Sequence, residues 1–146
     1  MFNPLPRLAL VGLLSFAVPA ASCSGTAEID LNARITVTTS ADVNNVTPGQ
    51  AVPMTVQVTN ITLIEPTATP PPGQEANAGH LRVYLDDTDN DELLITAQTS
   101  FSVTIPTNTE PGSHRIICRV HRHDGMPTST TFRLDIVVRA TVIDGN

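Results

Sequence analysis

The sequence predicts an all-β chain folded as a single antiparallel β-sandwich of about seven short strands. Three observations point there: apolar and polar residues alternate, threonine and valine are abundant, and turn residues break the pattern at short intervals. No stretch after residue 23 repeats apolar residues at i, i+3, i+4 and i+7 for long enough to make a helix.

The elements follow in order. Ala27, Ile29, Leu31, Ala33, Ile35 and Val37 share one parity and form the first strand, A. The turn Thr47-Pro48-Gly49 leads into strand B, with Val52, Met54, Val56 and Val58 on its apolar side. The loop EPTATPPPGQEANAG comes next, and its prolines cannot supply a full set of ladder hydrogen bonds. Strand C carries Leu81, Val83 and Leu85; the acidic turn DDTDNDE separates it from strand C′, with Leu93 and Ile95. Strand E has Phe101, Val103 and Ile105, and the turn NTEPGS closes it. Strand F has Ile116, Cys118 and Val120, and after HDGMP strand G has Phe132, Leu134, Ile136 and Val138. One apolar face per strand is what two sheets packed on a single core require.

The Pro111-Gly112 turn before an apolar strand carrying Cys118 resembles the E to F corner of immunoglobulin-like and related early-set domains. Strand B has no cysteine to pair with Cys118, strand C has no tryptophan, and no tyrosine stands two residues before Cys118. The similarity is therefore to the broad sandwich class, not to antibody-type domains. More narrowly, GHLRVYLDD, VTIP, PGSHRIICRVHRHDG and the cysteine segment described next resemble small immunoglobulin-like lipoproteins and exported domains of bacteria. That resemblance covers most of the mature chain and brings no established activity with it.

The N-terminus, MFNPLPRLALVGLLSFAVPAASC, has one charge at Arg7, an apolar run from Leu8 to Ala21 and then small residues. This is the layout of an export signal, and the run is too short to serve as a permanent membrane span. Ala20-Ala21-Ser22-Cys23 resembles a bacterial lipobox, with Ala20 where leucine is usual, which implies acylation of Cys23 and a lipid anchor in the cell envelope, at the outer membrane. The alternative is an ordinary cut after Ala20 and a secreted or periplasmic product. The expected divisions are a lipoprotein signal peptide over 1–22, a lipidated N-terminus and short tether over 23–26, the sandwich over 27–143 and a tail over 144–146.

Without Arg7 the chain has seven arginines, no lysine and fourteen acids. Phosphate binding needs a concentrated positive face, and arginines scattered along an acidic chain argue against nucleic acid as a partner. The two cysteines are Cys23 and Cys118. Acylation of Cys23 leaves Cys118 without an intrachain partner and the core as the source of stability.

In strand F the core parity is even, so Arg119, His121 and His123 are expected on the solvent side; in strand C it is odd, so His80, Arg82 and Tyr84 are too. Antiparallel pairing of C with F, as the fold implies, brings His80 beside His121 and His123. Three imidazoles with Asp124 would suit zinc or copper. Two other uses compete: a polar, solvated sheet face, and a face for an envelope protein or small ligand formed by these histidines with Arg82, Tyr84, Arg119 and Arg133. His114, at the other end of strand F beside the acidic turn, is expected to form a surface pair with a carboxylate.

Asp87, Asp89 and Asp91 resemble the opening of a calcium loop, but Glu92 stands where glycine is wanted and Gln98 where a bidentate glutamate is. No GxSxG, HExxH or glycine-rich phosphate loop occurs, and Cys118 has core parity, as an inert thiol would. The sequence thus favours a non-enzymatic, membrane-anchored binding or interaction module of the bacterial envelope. A zinc or copper binder using His80, His121 and His123, and a structural envelope protein, are the alternatives.

Overall fold

A computed structural model describes residues 32–140. The expected signal segment 1–22, Cys23 with its expected tether, the strand A residues Ala27, Ile29 and Leu31, and the expected tail 144–146 lie outside the described residues. Within them the chain forms β1 (Arg34–Thr39), β2 (Ala51–Thr59), β3 (Thr62–Leu63), β4 (Ala78–Leu85), β5 (Leu94–Thr96), β6 (Ser100–Thr104), β7 (Gly112–Arg122) and β8 (Pro127–Val138). A single 3₁₀ turn, Glu75–Asn77, precedes β4.

Two sheets pack face to face. The smaller has the order β1-β2-β6; the larger runs β4-β7-β8, with β3 and β5 both on the free side of β4. Strands A, B, C, C′, E, F and G of the sequence thus correspond to β1, β2, β4, β5, β6, β7 and β8, the arrangement of an immunoglobulin-like sandwich. Two features are not antiparallel: β3 pairs with the start of β4 in parallel, and Val46 makes a parallel bridge to Val138.

The core forms where the alternation places it. Val52, Met54 and Val56 of β2 are buried while Ala51, Pro53, Thr55 and Gln57 between them are exposed. Leu81 and Val83 of β4, Val103 of β6, Ile116, Cys118 and Val120 of β7, and Ile136 and Val138 of β8 meet them across the sandwich. Phe101, Phe132 and Leu134 pack around this centre, half-buried. Val46, in the β1–β2 connection, is also fully buried: its N–H donates to Val137 O at 3.1 Å, and Val43 O accepts from Val137 N at 2.7 Å. This connection therefore lies along the end of β8 and closes one side of the core.

Strand β5 corrects the expected facing of Ile95, while Leu93, just before the strand, packs against the core as expected. Three consecutive apolar residues, Leu93-Leu94-Ile95, carry no parity of their own, so the register decides. Leu81 pairs with Thr96, Arg82 with Ile95 and Val83 with Leu94, which turns Leu94 and Thr96 toward the core and Ile95 away from it. Ile95 remains 42% exposed. Gly79, at the start of β4, lies where β4 and β7 approach closely: a Cβ there would overlap the carbonyl oxygen of His121 and press on Ile61 Cδ1.

Replacing Leu81, which is fully buried, with alanine is expected to cost about 2 to 5 kcal/mol. Ile95→Ala is expected to change stability by no more than about 0.5 kcal/mol. Urea unfolding of the two variants measures both, and comparable losses would restore the original facing of β5.

Candidate functional site on the outer face of the larger sheet

Strands β4 and β7 pair over Gly79↔Arg122 to Leu85↔Ile116, which sets His80 opposite His121, Arg82 opposite Arg119 and Tyr84 opposite Ile117. The same face continues through Ile95 on β5 and through Thr131, Arg133 and Asp135 on β8. The expected juxtaposition of His80 and His121 is present: the rings stack with centroids 6.0 Å apart and planes inclined by 22°.

Their exposure differs from the expectation. His80, Tyr84 and His121 are buried, with His80 only 1% exposed. Arg82 is the reason on one side. Its Nε donates to His80 Nε2 at 3.3 Å while its Nη1 pairs with Glu92 Oε1, so its planar head lies along the sheet instead of extending into water. The β7–β8 turn supplies the other cover. Gly125 adopts φ +83°, a conformation that favours glycine, and its carbonyl accepts from His121 Nδ1 at 3.1 Å. A Cβ on Gly125 would lie 3.7 Å from Arg82 Nη2, which puts the turn against the guanidinium.

These partners fix the proton positions. A carbonyl can only accept, so His121 carries its proton on Nδ1 and its Nε2 lone pair receives the Tyr84 hydroxyl at 3.3 Å. Arginine can only donate, so His80 Nε2 is a lone pair and its proton sits on Nδ1, a buried atom with no hydrogen-bond partner in the protein. Burial, with smaller contributions from Arg82 and His121, lowers the His80 pKa to about 4. Burial also lowers that of His121. Both imidazoles are neutral at pH 7.

His123 and Asp124 do not join them. His123 N donates to Ala78 O at 2.9 Å at the strand end. Asp124 is taken up by its own turn, with Oδ1 accepting from Met126 N at 3.1 Å and Oδ2 facing Arg122 Nη2 at 3.2 Å. Among the described residues no group of three or more histidine, cysteine, aspartate or glutamate side chains is arranged to hold a metal ion. The zinc or copper set His80, His121, His123 and Asp124 is therefore not assembled, because the chain turns away at residue 123 and both nitrogens of His121 are already used.

The acidic turn is likewise committed locally. Asp87 Oδ1 accepts from Asp89 N at 3.1 Å, and Asn90 Nδ2 donates to Leu85 O at 2.8 Å. Asp87, Asp89 and Asp91 thus shape a turn and do not converge on a calcium position. Asp86 accepts from Arg115 N at 2.9 Å and faces His114 Nδ1 at 2.8 Å. The second nitrogen of His114 meets Glu110 O at 2.8 Å, so this histidine forms the expected surface pair. Asp86 raises the His114 pKa. Burial pushes the Cys118 thiol up to about 12, which agrees with its reading as inert.

The fold also gathers what the sequence scatters. Arg82, Arg115, Arg119 and Arg133 all project from the outer face of the larger sheet. Glu92 beside Arg82, and Asp135, bonded to Arg115 Nε at 2.7 Å, are the acids among them. Glu92, Ile117 and Ile95 belong to this face and were not among the expected site residues. Ile117 was readable from the parity of strand F, whereas Ile95 was hidden by the unphased run in β5.

No protein-family model matches the chain and no curated protein matches it. Among solved structures, the extracellular domain assigned to a hybrid two-component system of B. thetaiotaomicron is similar over 74% of this chain and 15% of its own length, at 16% identity and a TM-score of 0.42. The chain thus spans a small part of that protein. Among the described residues no helix is long and apolar enough to cross a membrane.

Stability is expected to fall as the pH drops from about 6.5 to about 4. In that window an unfolded His80 takes up a proton that the folded one refuses, so stability rises with pH there, and the full effect is on the order of 3 kcal/mol. His121 adds in the same direction; His114, whose pKa is raised, contributes stability below about 6.5 that is lost as the pH rises through its folded value. Urea midpoints at pH 7 and 4.5 for the wild type and His80→Asn check this. An equal fall in both proteins would acquit His80 of the effect.

Proposed function

We propose that the protein is an exported, lipid-anchored binding module of the bacterial envelope, without catalytic activity, whose working surface is the outer face of the larger sheet. The observation that carries this reading is the contrast between the two outer faces. On the smaller sheet the outward residues of β2 and β6 are Ala51, Pro53, Thr55, Gln57, Thr59, Ser100, Ser102 and Thr104, small or neutral and exposed. On the larger sheet the outward rows bring together Arg82, Arg115, Arg119 and Arg133, a residue type that recognition surfaces favour, beside the exposed Ile95, while Tyr84 and Ile117 of the same rows are buried beneath them. Ile95 is the exposed large hydrophobic side chain among the described residues, and it lies on this face.

Export and anchoring are supported by the signal layout and by the lipobox-like Ala20-Ala21-Ser22-Cys23. Cys118 is fully buried in the centre of β7, paired with Val83 and Phe132, so a disulfide to Cys23 would require opening the core. That leaves Cys23 available for acylation. A non-enzymatic role is supported by the chemistry at hand: Cys118 is a buried, protonated thiol, and His80, His121 and His114 are each tied into structural hydrogen bonds.

Two measurements test the reading. Cys23→Ser is expected to abolish labelling by a fatty-acid analogue and move the protein from the membrane to the soluble fraction; labelling that persists would refute the anchor. Photo-crosslinking side chains placed at Ile95 and Arg133 are expected to give discrete adducts in intact cells, and those at Thr55 and Gln57 on the opposite face are not. Adducts from the smaller sheet alone would assign the work to the wrong face.

A further inference from the structure

We infer that the outer face of the larger sheet recognises a carboxylate-rich protein segment that also carries an apolar side chain. The inference rests on the surface proposed above and names the chemistry of its partner.

The charge distribution comes first. The chain has a net charge of −6 and no lysine, so any positive region must be built from its eight arginines. Four of them, Arg82, Arg115, Arg119 and Arg133, rise from one sheet face, where Glu92 and Asp135 are the acids. Of the other acids among the described residues, Asp42 lies between β1 and β2, Glu65 and Glu75 between β3 and β4, Asp86, Asp87, Asp89 and Asp91 in the β4–β5 turn with Asp86 beside Arg115 at the edge of the face, Glu110 before β7 and Asp124 in the β7–β8 turn. The face is thus locally positive on an acidic body, which draws an acidic partner toward this sheet and repels it from the rest.

The type of anion follows from the side chains. Guanidinium groups can match carboxylates in a planar fork, and this face already pairs arginine with carboxylate twice through single contacts, Arg82 with Glu92 and Arg115 with Asp135. Arg82 and Arg119 stand directly opposite one another across β4 and β7. Arg119 is held by its Nε bond to Thr128 O at 2.9 Å, where β8 bulges, so less side-chain order remains to be imposed on binding. Arg133 is exposed on the next strand, at the level of Ile117. Ile95 flanks Arg82 on the other side, 42% exposed. A phosphate backbone has no use for an apolar contact at that position, whereas a peptide alternating acidic and apolar side chains engages both.

The histidines beneath do not add to the positive charge. His80 and His121 are neutral at pH 7 and lie under Arg82 and the β7–β8 turn. The attraction therefore depends on arginines and weakens with ionic strength.

The test is fluorescence anisotropy of the full-length purified protein with three probes: a labelled peptide alternating glutamate and leucine, a single-stranded oligonucleotide, and phosphatidylglycerol vesicles. The expected result is saturable binding of the peptide that weakens with salt and is lost about tenfold in Arg119→Gln/Arg133→Gln. Ile95→Asp is expected to weaken it as well, and Arg34→Gln on the smaller sheet to leave it unchanged. Arg133→Glu alone, at an exposed site, guards against a double variant that fails to fold. Preference for the oligonucleotide or the vesicles, or peptide binding that survives in Arg133→Glu, overturns the inference. Crosslinks from Ile95 and Arg133 with no peptide binding would leave the face assigned and the partner chemistry wrong; absence of those crosslinks removes both.

Discussion

Everything distinctive about this molecule depends on one strand pairing, β4 against β7. Seven consecutive pairs from Gly79↔Arg122 to Leu85↔Ile116 fix which residues enter the core and which form the outer face. A slip by one residue would drive His80, Arg82 and Tyr84 into the apolar interior and expel Leu81 and Val83. The burial of Leu81, Val83, Ile116, Cys118 and Val120 opposes such a slip from the inside. Gly79 marks where the two backbones come too close for a side chain, and so contributes to the register from the end of the strand.

The outer face that results is unusual in being polar and partly dry. Covering two imidazoles and a phenol costs hydration, and the hydrogen bonds from Arg82, Tyr84 and to Gly125 O recover part of it. His80 Nδ1 recovers none of it from the protein. An unpaired buried donor is tolerable on a neutral ring and far less so on a charged one. The low pKa of His80 and the flat posture of Arg82 are therefore two expressions of one arrangement, in which the guanidinium holds the positive charge at the surface while the ring below stays neutral.

Much of this architecture was legible in the residues. Alternation in TVQVT, LRVYL and RIICRV reports a half-buried strand directly, and the parity of Cys118 foretold its inert thiol. The pairing of His80 with His121 followed from parity and antiparallel order. What could not be read was cover and phase. Nothing in strand periodicity says that Arg82 will lie down across the sheet or that the β7–β8 turn will fold back, so buried histidines read as exposed ones. Leu93-Leu94-Ile95 gave no phase, and only pairing with β4 decided it. His123 has the parity of His121, yet the chain leaves the strand at Arg122, and parity has no meaning in a turn. The clustering of arginines is likewise a property of pairing, since residues 82, 119 and 133 become neighbours only through the ladder.

The burial of Cys118 has a practical consequence. Its sulfur sits at the centre of β7, between Val83 on one side and Phe132 on the other, with its proton held to about pH 12. Reaction with an alkylating reagent must wait until the two sheets part, because neither solvent access nor a thiolate exists before then. The rate of modification is thus a clock for the opening of the sandwich, built into the chain without any label. Run with and without a bound partner, that clock reads how far occupancy of the outer face steadies the interior beneath it.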